Sequence, residues 1–545
     1  MGSLTTMLLA FALLALHLSA PTNGQHLLPG ELSAAVANAT IGNCQHACAQ
    51  LQAPTDLPAD FAKGYFATQQ QEIRPLCVVQ PESPEDVSRA VQVVREHQCR
   101  FAVKGGGHGN HAGASSIQDG LLIDMSRFSG VTLSADESIA GLGAGARWID
   151  VYKVLEEKGL TVVGGRSSTV GVGGFTLGGG ISFLSRRYGW AVDNVANYEL
   201  VLANGTITNV NQSSHPDLYF ALRGGGNNFG IVTRFDFETR RHSLVSGGTT
   251  VFLMQDLEER RAALGLEDRW ELSKNSILNQ VNKHLFRAIG RFGLSVHSRD
   301  VIRAFVALAD ESQTDAGAHA YLFLSWVPSY HAYFYGMTTL YSGPEASPAV
   351  FQNISSMKRL YTTQRTTNIS DFANEIDAQN MDLVNRRNIW RTVTLKVDAD
   401  LMSDILDIFL SAVHPYTSIP DTIMSCNMQM LTKHEIEIFA KNGGNALGIR
   451  PEDGPLFVFT LTPGHSIAAH DARFEALNDE IMGKVISIAK ERGLYHPFIY
   501  QNYAGPGQDV FAGYGAENRA RLSEIQKRYD PEGVFWKLQP GYFKV

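Results

Sequence analysis

Two glycine-dense stretches constrain the fold of this chain more than any other feature. The first, residues 101–113 (FAVKGGGHGNHAG), is a short apolar run that ends in consecutive glycines around His108. The second, residues 164–180 (GGRSSTVGVGGFTLGGG), has eight glycines in seventeen positions. Because glycine has no Cβ, backbone N–H groups in such turns can converge on an anion. The two stretches therefore predict a phosphate-bearing cofactor that lies between two backbone walls.

The elements around the first stretch predict an α/β unit. A strand begins at Cys77, a helix begins at Ser83 or Pro84 with acidic residues in its first turn, and a second strand covers residues 101–104. Later elements extend the pattern to a domain of residues 70–242. They are strands at 120–124, 140–145 and 231–238, helices at 148–158 and 217–223, and a hairpin that turns at Asn204-Gly205.

Residues 243–495 differ from residues 70–242 in composition. Glycine becomes scarcer, aromatic residues become more frequent, and strand-like runs alternate with amphipathic helices at 400–413 and 470–492. This pattern predicts an α+β domain that covers the substrate. Residues 496–545 form a distinct closing segment with a charged helix and a turn at residues 530–533.

Residues 1–24 have the features of a secretory signal peptide. The twelve-residue apolar run 7–18 is too short to span a bilayer, and small residues follow it at Ser19, Ala20 and Gly24. A short membrane anchor is the alternative. We expect cleavage near residue 20 or 24, a lead-in segment over residues 25–69, no later membrane span, and a protein of the secretory pathway or the extracellular space.

The predicted export makes the cysteines interpretable. In an oxidising compartment, four early cysteines are expected to form two disulfides, with three pairings open, while Cys426 stands alone. The four are Cys44, Cys48, Cys77 and Cys99. A metal site at Cys44-Gln-His46-Ala-Cys48 is the less favoured alternative. Five sequons are candidates for glycosylation, at Asn38, Asn204, Asn211, Asn353 and Asn368.

Composition and motif spacing exclude two classes of protein. The net charge of −8 argues against a nucleic-acid partner. The sequence GLGAG at 141–145 lacks the third glycine of the Rossmann dinucleotide fingerprint, so a tight turn is the favoured interpretation. We expect a small-molecule substrate and a monomeric protein.

His108 has three candidate roles. With His111 it forms an H-x-x-H spacing, but the flanking glycines disfavour a helix and no nearby glutamate completes a zinc site, so we predict no metal. A loop histidine satisfied by backbone is the second role. We favour the third, in which an imidazole nitrogen attacks the 8α-methylene of a flavin quinone methide and tethers the ring.

Eight motifs support a flavoprotein interpretation. They are GGGHG at 105–109, TVGVGG at 169–174, LGGG at 177–180, DNV at 193–195, ALRGGGNNFGIVTRF at 221–235, NYAGPGQD at 502–509, YGAEN at 514–518 and YDPEGVF at 529–535. Together they resemble the berberine-bridge-enzyme-like FAD-linked oxidases, a branch of the vanillyl-alcohol-oxidase or PCMH-type flavoproteins. The overall pattern of motifs resembles that of fungal members. The resemblance is strong over residues 70–242 and 496–545 and weaker between them.

The resemblance implies an α+β fold in three parts. These are a PCMH-type FAD-binding domain of two subdomains, an α+β substrate domain with an antiparallel sheet, and a C-terminal segment that returns to the FAD domain. It also implies the cofactor-binding residues, with Lys104 where many members have an arginine, so that either side chain would face phosphate. They are Lys104, Gly105, Gly106, Gly107, His108, Gly109, Val170, Gly171, Gly174, Ile231, Asn502 and Tyr503.

The resemblance further implies how the flavin is attached. His108 corresponds to the residue linked to the 8α carbon. Doubly linked members have a cysteine just before TVGVGG, where this chain has Arg166-Ser167-Ser168. We therefore expect FAD with a single covalent link, through His108.

The catalytic base is not evident from the family pattern. Many plant members use a glutamate on a substrate-domain strand, but the comparable residues 425–430 (SCNMQM) contain no acid. The expected catalytic residues are Gln429, by orientation or hydrogen bonding, and Tyr503, by proton removal or substrate orientation. A phenol is a poor base near neutral pH, so packing of Tyr503 against the flavin is the alternative.

These features predict a FAD-dependent oxidase. A small organic substrate, expected to be a secondary metabolite, would give hydride to covalently bound flavin, and O2 would be the acceptor. A carbohydrate or oligosaccharide oxidase is the close alternative. A flavoprotein isomerase or cyclase without net redox chemistry, and a non-catalytic secreted binding protein, are the alternatives from other classes.

Overall fold

The computed structural model of the chain describes residues 41–57, 61–242, 244–266, 295–310, 315–327, 332–419 and 421–545. The expected signal peptide at 1–24 and the sequon at Asn38 lie outside these residues. Residues 41–50 are helical.

A small parallel sheet carries the first glycine stretch. Its elements are β1 (Cys77–Val79), α1 (Pro84–Glu96), β2 (Phe101–Lys104) and β3 (Leu121–Asp124), with strand order β1-β3-β2. Helix α1 starts as predicted, because the Ser83 hydroxyl accepts a hydrogen bond from the Asp86 N–H at 3.1 Å. Strand β2 ends where the glycines begin, so the turn leaves the carboxyl edge of this sheet.

An antiparallel sheet in the order β4-β5-β9-β7-β8 completes this half of the molecule. The predicted hairpin forms, and Gly205 in its turn has φ +84°. The elements are β4 (Val131–Leu133), β5 (Ile139–Gly143), α2 (Trp148–Glu156), β6 (Leu160–Thr161), α3 (Val172–Leu177), β7 (Val195–Val201), β8 (Ile207–Val210), α4 (Pro216–Leu222), β9 (Ile231–Glu238) and β10 (Arg240–Arg241).

A large sheet dominates the second half of the molecule. Its described strands follow the order β12-β11-β14-β13-β19-β20-β18-β22, antiparallel apart from the β11–β12 pair. The elements are β11 (Val245–Met254), α5 (Leu257–Ala263), β12 (Ser295–Val296), α6 (Ser298–Ala307), β13 (Ala318–Val327), β14 (Ala332–Tyr341), β15 (Tyr361–Thr362), β16 (Arg365–Thr367), α7 (Ile369–Gln379), β17 (Arg387–Asn388), β18 (Arg391–Lys396), α8 (Ala399–Val413), β19 (Met424–Leu431), β20 (Leu456–Leu461), β21 (Gly464–His465), α9 (Asp471–Glu491) and β22 (Tyr495–His496).

The two faces of the large sheet have different roles. Side chains alternate along a strand, so one face of β13 and β19 packs into a core with α6, α8 and α9. The opposite face turns toward the glycine stretches and is mostly polar. Its members on β13 and β19 are Tyr321, Phe323, Ser325, Ser425, Asn427 and Gln429.

The closing segment returns to the first half of the molecule. It contains helix α10 (Ala516–Tyr529), whose Arg528 lies 2.7 Å from the carboxylate of Asp217. The Tyr514 hydroxyl donates to the Gly224 carbonyl at 2.9 Å, and the Asn228 amide donates to the Phe543 carbonyl at 3.1 Å. The C-terminal chain is thus part of the same core as the glycine stretches.

The four early cysteines form two disulfides, Cys44–Cys99 and Cys48–Cys77, so one of the three open pairings is selected. Cys426 is free and buried. The bridges join the 41–50 helix to β1 and to Cys99, which lies between α1 and β2. They fasten the start of the described chain to the parallel sheet.

We expect the double substitution Cys48→Ser/Cys77→Ser to lower stability by about 2–4 kcal/mol, because the bridge restricts the unfolded chain. The urea midpoint of unfolding should fall. Cys426→Ala removes a thiol without removing a bridge and should have a smaller effect. An unchanged midpoint in the double variant would contradict a structural role for this bridge.

The exposure of the sequons and the character of the helices describe the surface of this part of the chain. Of the described sequons, Asn204, Asn353 and Asn368 are exposed, whereas the Asn211 amide donates to Asn197 at 3.1 Å. Within the described residues, no helix combines the length and apolar character needed to cross a membrane.

Candidate active site

A cavity of about 410 Å³ lies between the glycine stretches and the polar face of the large sheet. Side chains from both halves of the molecule and from the closing segment line it. Nearly all the residues predicted to bind cofactor or substrate are among them. They are Gly105, Gly106, Gly107, His108, Gly109, Val170, Gly171, Gly174, Ile231, Gln429, Asn502 and Tyr503.

Lys104 is the exception. Its ammonium group lies 3.3 Å from the carboxylate of Asp124 and 5.0 Å from the ring centre of Tyr65, and the side chain is buried. Because side chains alternate along β2, Val103 lines the cavity while Lys104 points to the other side of the sheet. Lys104 is thus not on the cavity lining and pairs with Asp124, and its contact with a cofactor phosphate stays a prediction.

The two glycine stretches touch each other at Gly106 and Gly171. A Cβ on Gly106 would lie 2.5 Å from the backbone N of Gly171, and a Cβ on Gly171 would lie 2.4 Å from the N of Gly106. Gly174 is different, since a Cβ there would meet no protein atom within 4 Å, and the residue lines the cavity. The two glycine stretches thus meet at Gly106 and Gly171, and the space for the cofactor opens beside this contact.

This contrast predicts two different effects of adding one methyl group. Gly106→Ala should lower the unfolding temperature of the flavin-free protein, because neighbouring backbone must move. Gly174→Ala should leave that temperature unchanged but reduce the flavin content, because its methyl group enters the cavity. Calorimetry and absorbance at the flavin band measure both. Equal flavin loading in Gly174→Ala and the parent would contradict this assignment of the cofactor space.

His108 lies on the cavity wall and stacks on the ring of Phe66, with ring centres 4.2 Å apart. Desolvation in this enclosed position lowers the pKa of His108 to about 4, so the imidazole is neutral near pH 7. A neutral imidazole has a free nitrogen lone pair and is a nucleophile. His111 does not itself line the cavity, but it contacts two residues that do: it hydrogen-bonds to Asn110 at 3.0 Å and lies beside Tyr542.

Tyr503 is the centre of a hydrogen-bond network. Its hydroxyl oxygen accepts from the Arg166 guanidinium at 2.6 Å and from the Gln429 amide at 2.7 Å. A cationic donor stabilises negative charge on the phenol oxygen. The structure therefore brings together Tyr503 and Gln429, the two predicted catalytic residues. It adds Arg166, for which the sequence predicted no catalytic role.

Aromatic rings form one side of the cavity. The Tyr503 ring contacts Trp390 and Tyr500 edge-to-face, at 5.8 Å and 4.7 Å between centres. Trp390 in turn contacts Phe66, which stacks on His108. A planar molecule in the cavity would therefore lie against aromatic surfaces.

Asp377, from α7, holds the segment that carries Arg166. Its carboxylate accepts hydrogen bonds from the hydroxyls of Ser167 and Ser168, and from the Thr169 N–H at 2.8 Å. Helix α7 thereby fixes residues 167–169 of the second glycine stretch.

The cavity contains buried polar atoms that have no partner among the described residues. These are Gln429 Oε1, Trp390 Nε1, Gln539 Oε1 and both terminal atoms of Gln501. Leaving such atoms unpaired is costly, so they indicate a polar ligand. FAD has an N–H group, hydroxyls and carbonyl oxygens that would pair with Gln501 and Gln539, while Gln429 and Trp390 stay available to a substrate. The bare glycine backbone suits the FAD phosphates. The residues present fit FAD.

Several functional residues could not be assigned from the sequence. Arg166, Asp377 and Trp390 enter the site through contacts between distant segments, and no local motif marks them. Conversely, Asp193 and Arg223 lie in two of the matched motifs but form a fully buried pair at 3.3 Å, remote from the cavity lining. Arg223 also donates to the carbonyls of Lys441 and Asn442, so this pair joins the two halves of the molecule.

Comparison with known proteins agrees with this geometry. A family model described as an FAD binding domain matches residues 75–211. The FAD-dependent monooxygenase tpcD of Cochliobolus heterostrophus is 35% identical, over 95% of this chain and 93% of its own.

Among the described residues, no group of three His, Cys, Asp or Glu side chains is placed to hold a metal.

Solved structures share the whole fold. 6-Hydroxy-D-nicotine oxidase from Arthrobacter nicotinovorans has a TM-score of 0.66 at 18% identity, covering 89% of this chain and 95% of its own. Glucooligosaccharide oxidase from Acremonium strictum, described with a 6-S-cysteinyl, 8α-N1-histidyl FAD, has a TM-score of 0.65 at 18% identity, covering 91% and 97%. These likenesses confirm the predicted α+β fold of the PCMH type.

Fold and cavity define a FAD-dependent oxidoreductase. The family itself is shown by the long match to a curated relative. The chain belongs to the family of FAD-dependent oxidoreductases that includes the berberine-bridge-enzyme-like oxidases, as the motifs predicted.

Proposed function

We propose that this oxidoreductase is an oxidase that removes two electrons and two protons from a small organic substrate and transfers them to O2, giving hydrogen peroxide. The observation that carries this proposal is the Tyr503 hydroxyl, held in the cavity by Arg166 and Gln429. The site thus has a candidate proton acceptor beside the space that fits the cofactor.

The glycine stretches, Ile231 and Asn502 would hold the FAD. Bound flavin supplies the chemistry of accepting hydride from a substrate C–H bond and passing the electrons to oxygen. Neutral His108 supports a covalent link to the 8α carbon. Residues 166–168 contain no cysteine, which supports a single link, unlike the doubly linked FAD named for the Acremonium enzyme.

Tyr503 would accept the substrate O–H or N–H proton. Arg166 stabilises negative charge on the phenol oxygen and therefore favours this transfer. Gln429 donates to the same oxygen and fixes the ring orientation. Its own Oε1 has no described partner and is available to a substrate donor group.

The substrate we propose is a secondary metabolite. The close alternative is a carbohydrate, and one observation favours it: a row of hydroxyl and amide side chains lies on the sheet face of the cavity. These are Ser325, Ser425, Asn427, Thr460 and Thr462. We further propose that the protein is a monomer. We also propose that it lies in the secretory pathway or outside the cell, which the two disulfides support.

The test combines a substrate screen with a mass measurement. A panel of alcohols, phenols, amines and oligosaccharides is mixed anaerobically with the holoenzyme, and flavin bleaching is followed before air is admitted. The proposal predicts bleaching, a product lighter by two hydrogens, and one hydrogen peroxide per turnover.

Two outcomes would overturn it. A product heavier by one oxygen, without peroxide, would make the protein a monooxygenase, as the Cochliobolus relative is named. A product of unchanged mass, with the flavin unbleached, would make it an isomerase or cyclase.

A further inference from the structure

Arg166 is a cation in the cavity wall without a matching carboxylate contact. Among the described residues, its partners are the Tyr503 hydroxyl at 2.6 Å, the His319 Nε2 at 3.3 Å and the face of the Tyr321 ring at 5.2 Å. All three are neutral groups or ring faces. A guanidinium has five N–H donors, so further donors remain for a ligand.

The neighbouring titratable groups do not cancel this charge. Burial, with Arg166 and Arg186, holds the pKa of His319 well below its usual value, so the imidazole is uncharged. The Asp377 carboxylate is occupied by Ser167, Ser168 and the Thr169 N–H. Glu435 makes no ion pair with Arg166: burial raises the pKa of its carboxyl to about 7, although the charge of Arg166 acts on it electrostatically, and it accepts a hydrogen bond from the Trp190 indole N–H at 2.8 Å.

The other donors of the cavity face the same region. The Trp390 indole N–H is buried without a partner among the described residues, and its ring contacts the Tyr503 ring. Arg166 and Trp390, which come from distant segments of the chain, therefore both offer N–H groups to the cavity.

From this donor cluster we infer the chemical class of the substrate: a planar organic molecule that carries an oxyanion, either a carboxylate or an ionised phenol or enol. The inference rests on the proposed function. The oxyanion lies against Arg166 and Trp390, and the molecule's plane lies against the aromatic side of the cavity. Arg166 is thereby a specificity-determining residue, and Asp377 is a positioning residue that holds its loop.

The class follows from the energetics of charge burial. An anion that enters this cavity loses water, and a guanidinium with free N–H groups replaces that water with charge-assisted hydrogen bonds. A neutral sugar would leave the cation unmatched. The inference therefore separates the proposed metabolite substrates from the carbohydrate alternative.

The experiment uses the flavin-loaded enzyme and isosteric probes. Benzoate, benzamide and 4-cyanophenol are titrated at constant ionic strength, the phenol at a pH above and a pH below its pKa. Binding is followed through the difference spectrum of the flavin. We expect benzoate to bind at least about tenfold more tightly than benzamide, or ionised 4-cyanophenol at least about tenfold more tightly than its neutral form. Which probe shows the preference identifies the carboxylate or the phenolate source.

Variants assign the preference to its residue. Arg166→Gln should bring the ratio of anion to neutral affinity close to one, and Arg166→Lys should retain part of it. Asp377→Asn should lower the ratio while the flavin stays bound. Arg528→Gln removes an exposed charge on α10 and should leave the ratio unchanged. The wild-type ratio alone remains a test if Arg166→Gln does not fold.

Different results would contradict the substrate class and the proposed function. A protein that binds flavin but shows equal affinity for anionic and neutral probes would overturn the substrate class, since Arg166 would then be matched by something other than the substrate. A purified protein without flavin, or one whose product shows no oxidation, would overturn the proposed function instead.

Discussion

Replacing Tyr503 by phenylalanine is expected to lower kcat/KM by about 10²–10⁴-fold, the range that removal of a general acid or base produces. The change removes only the hydroxyl, which accepts from Arg166 and Gln429. The ring contacts with Trp390 and Tyr500 remain, so the cavity keeps its shape. Flavin content and unfolding temperature should therefore stay close to those of the parent.

The measurement is the rate of anaerobic flavin bleaching by substrate, compared between the variant and the parent. Tyr416→Phe is the matched control, because it removes a hydroxyl that contacts the Arg473 carbonyl outside the cavity. A rate within about threefold of the parent in Tyr503→Phe would contradict a role in proton transfer. The ring would then only pack against the cofactor.

Replacing His108 by alanine is expected to abolish the covalent attachment of flavin. The parent has a neutral imidazole on the cavity wall, and alanine has no nucleophile. The glycine stretches remain, so the variant should still bind FAD reversibly. Acid precipitation should leave the flavin colour in the parent pellet and release it to the supernatant in the variant.

His111→Gln is the control for this prediction. His111 is three residues away and lies beside Asn110 and Tyr542 rather than on the cavity lining. That variant should keep its flavin in the pellet. Retention of colour by the His108→Ala pellet would show that another residue carries the link.

The sequence predicted the local elements of the cofactor domain well. Strands β2 and β9 have the predicted bounds, because glycine marks one end of each: Gly105 follows β2 and Gly230 precedes β9. Helix α1 begins where Ser83 and Pro84 indicated, since a cap and a proline act within one turn. The glycine stretches line the cavity as expected, because close backbone approach is a property of the residue type itself.

The remaining features depend on contacts that no local pattern encodes. Arg166 and Tyr503 are 337 positions apart, and their hydrogen bond exists only once the closing segment returns to the cavity. The pairing of the cysteines depends on the same kind of long-range packing. The ion pair of Lys104 with the buried Asp124 on β3 is likewise invisible in the sequence, which shows only that Lys104 follows Val103.

Peptide mapping of the native protein by mass spectrometry tests the central claim most directly. The account predicts that a single peptide, the one containing His108, carries the added mass of FAD, and that the peptide containing residues 166–168 carries none. Denatured protein that releases all of its flavin, with His108 unmodified, would contradict the account.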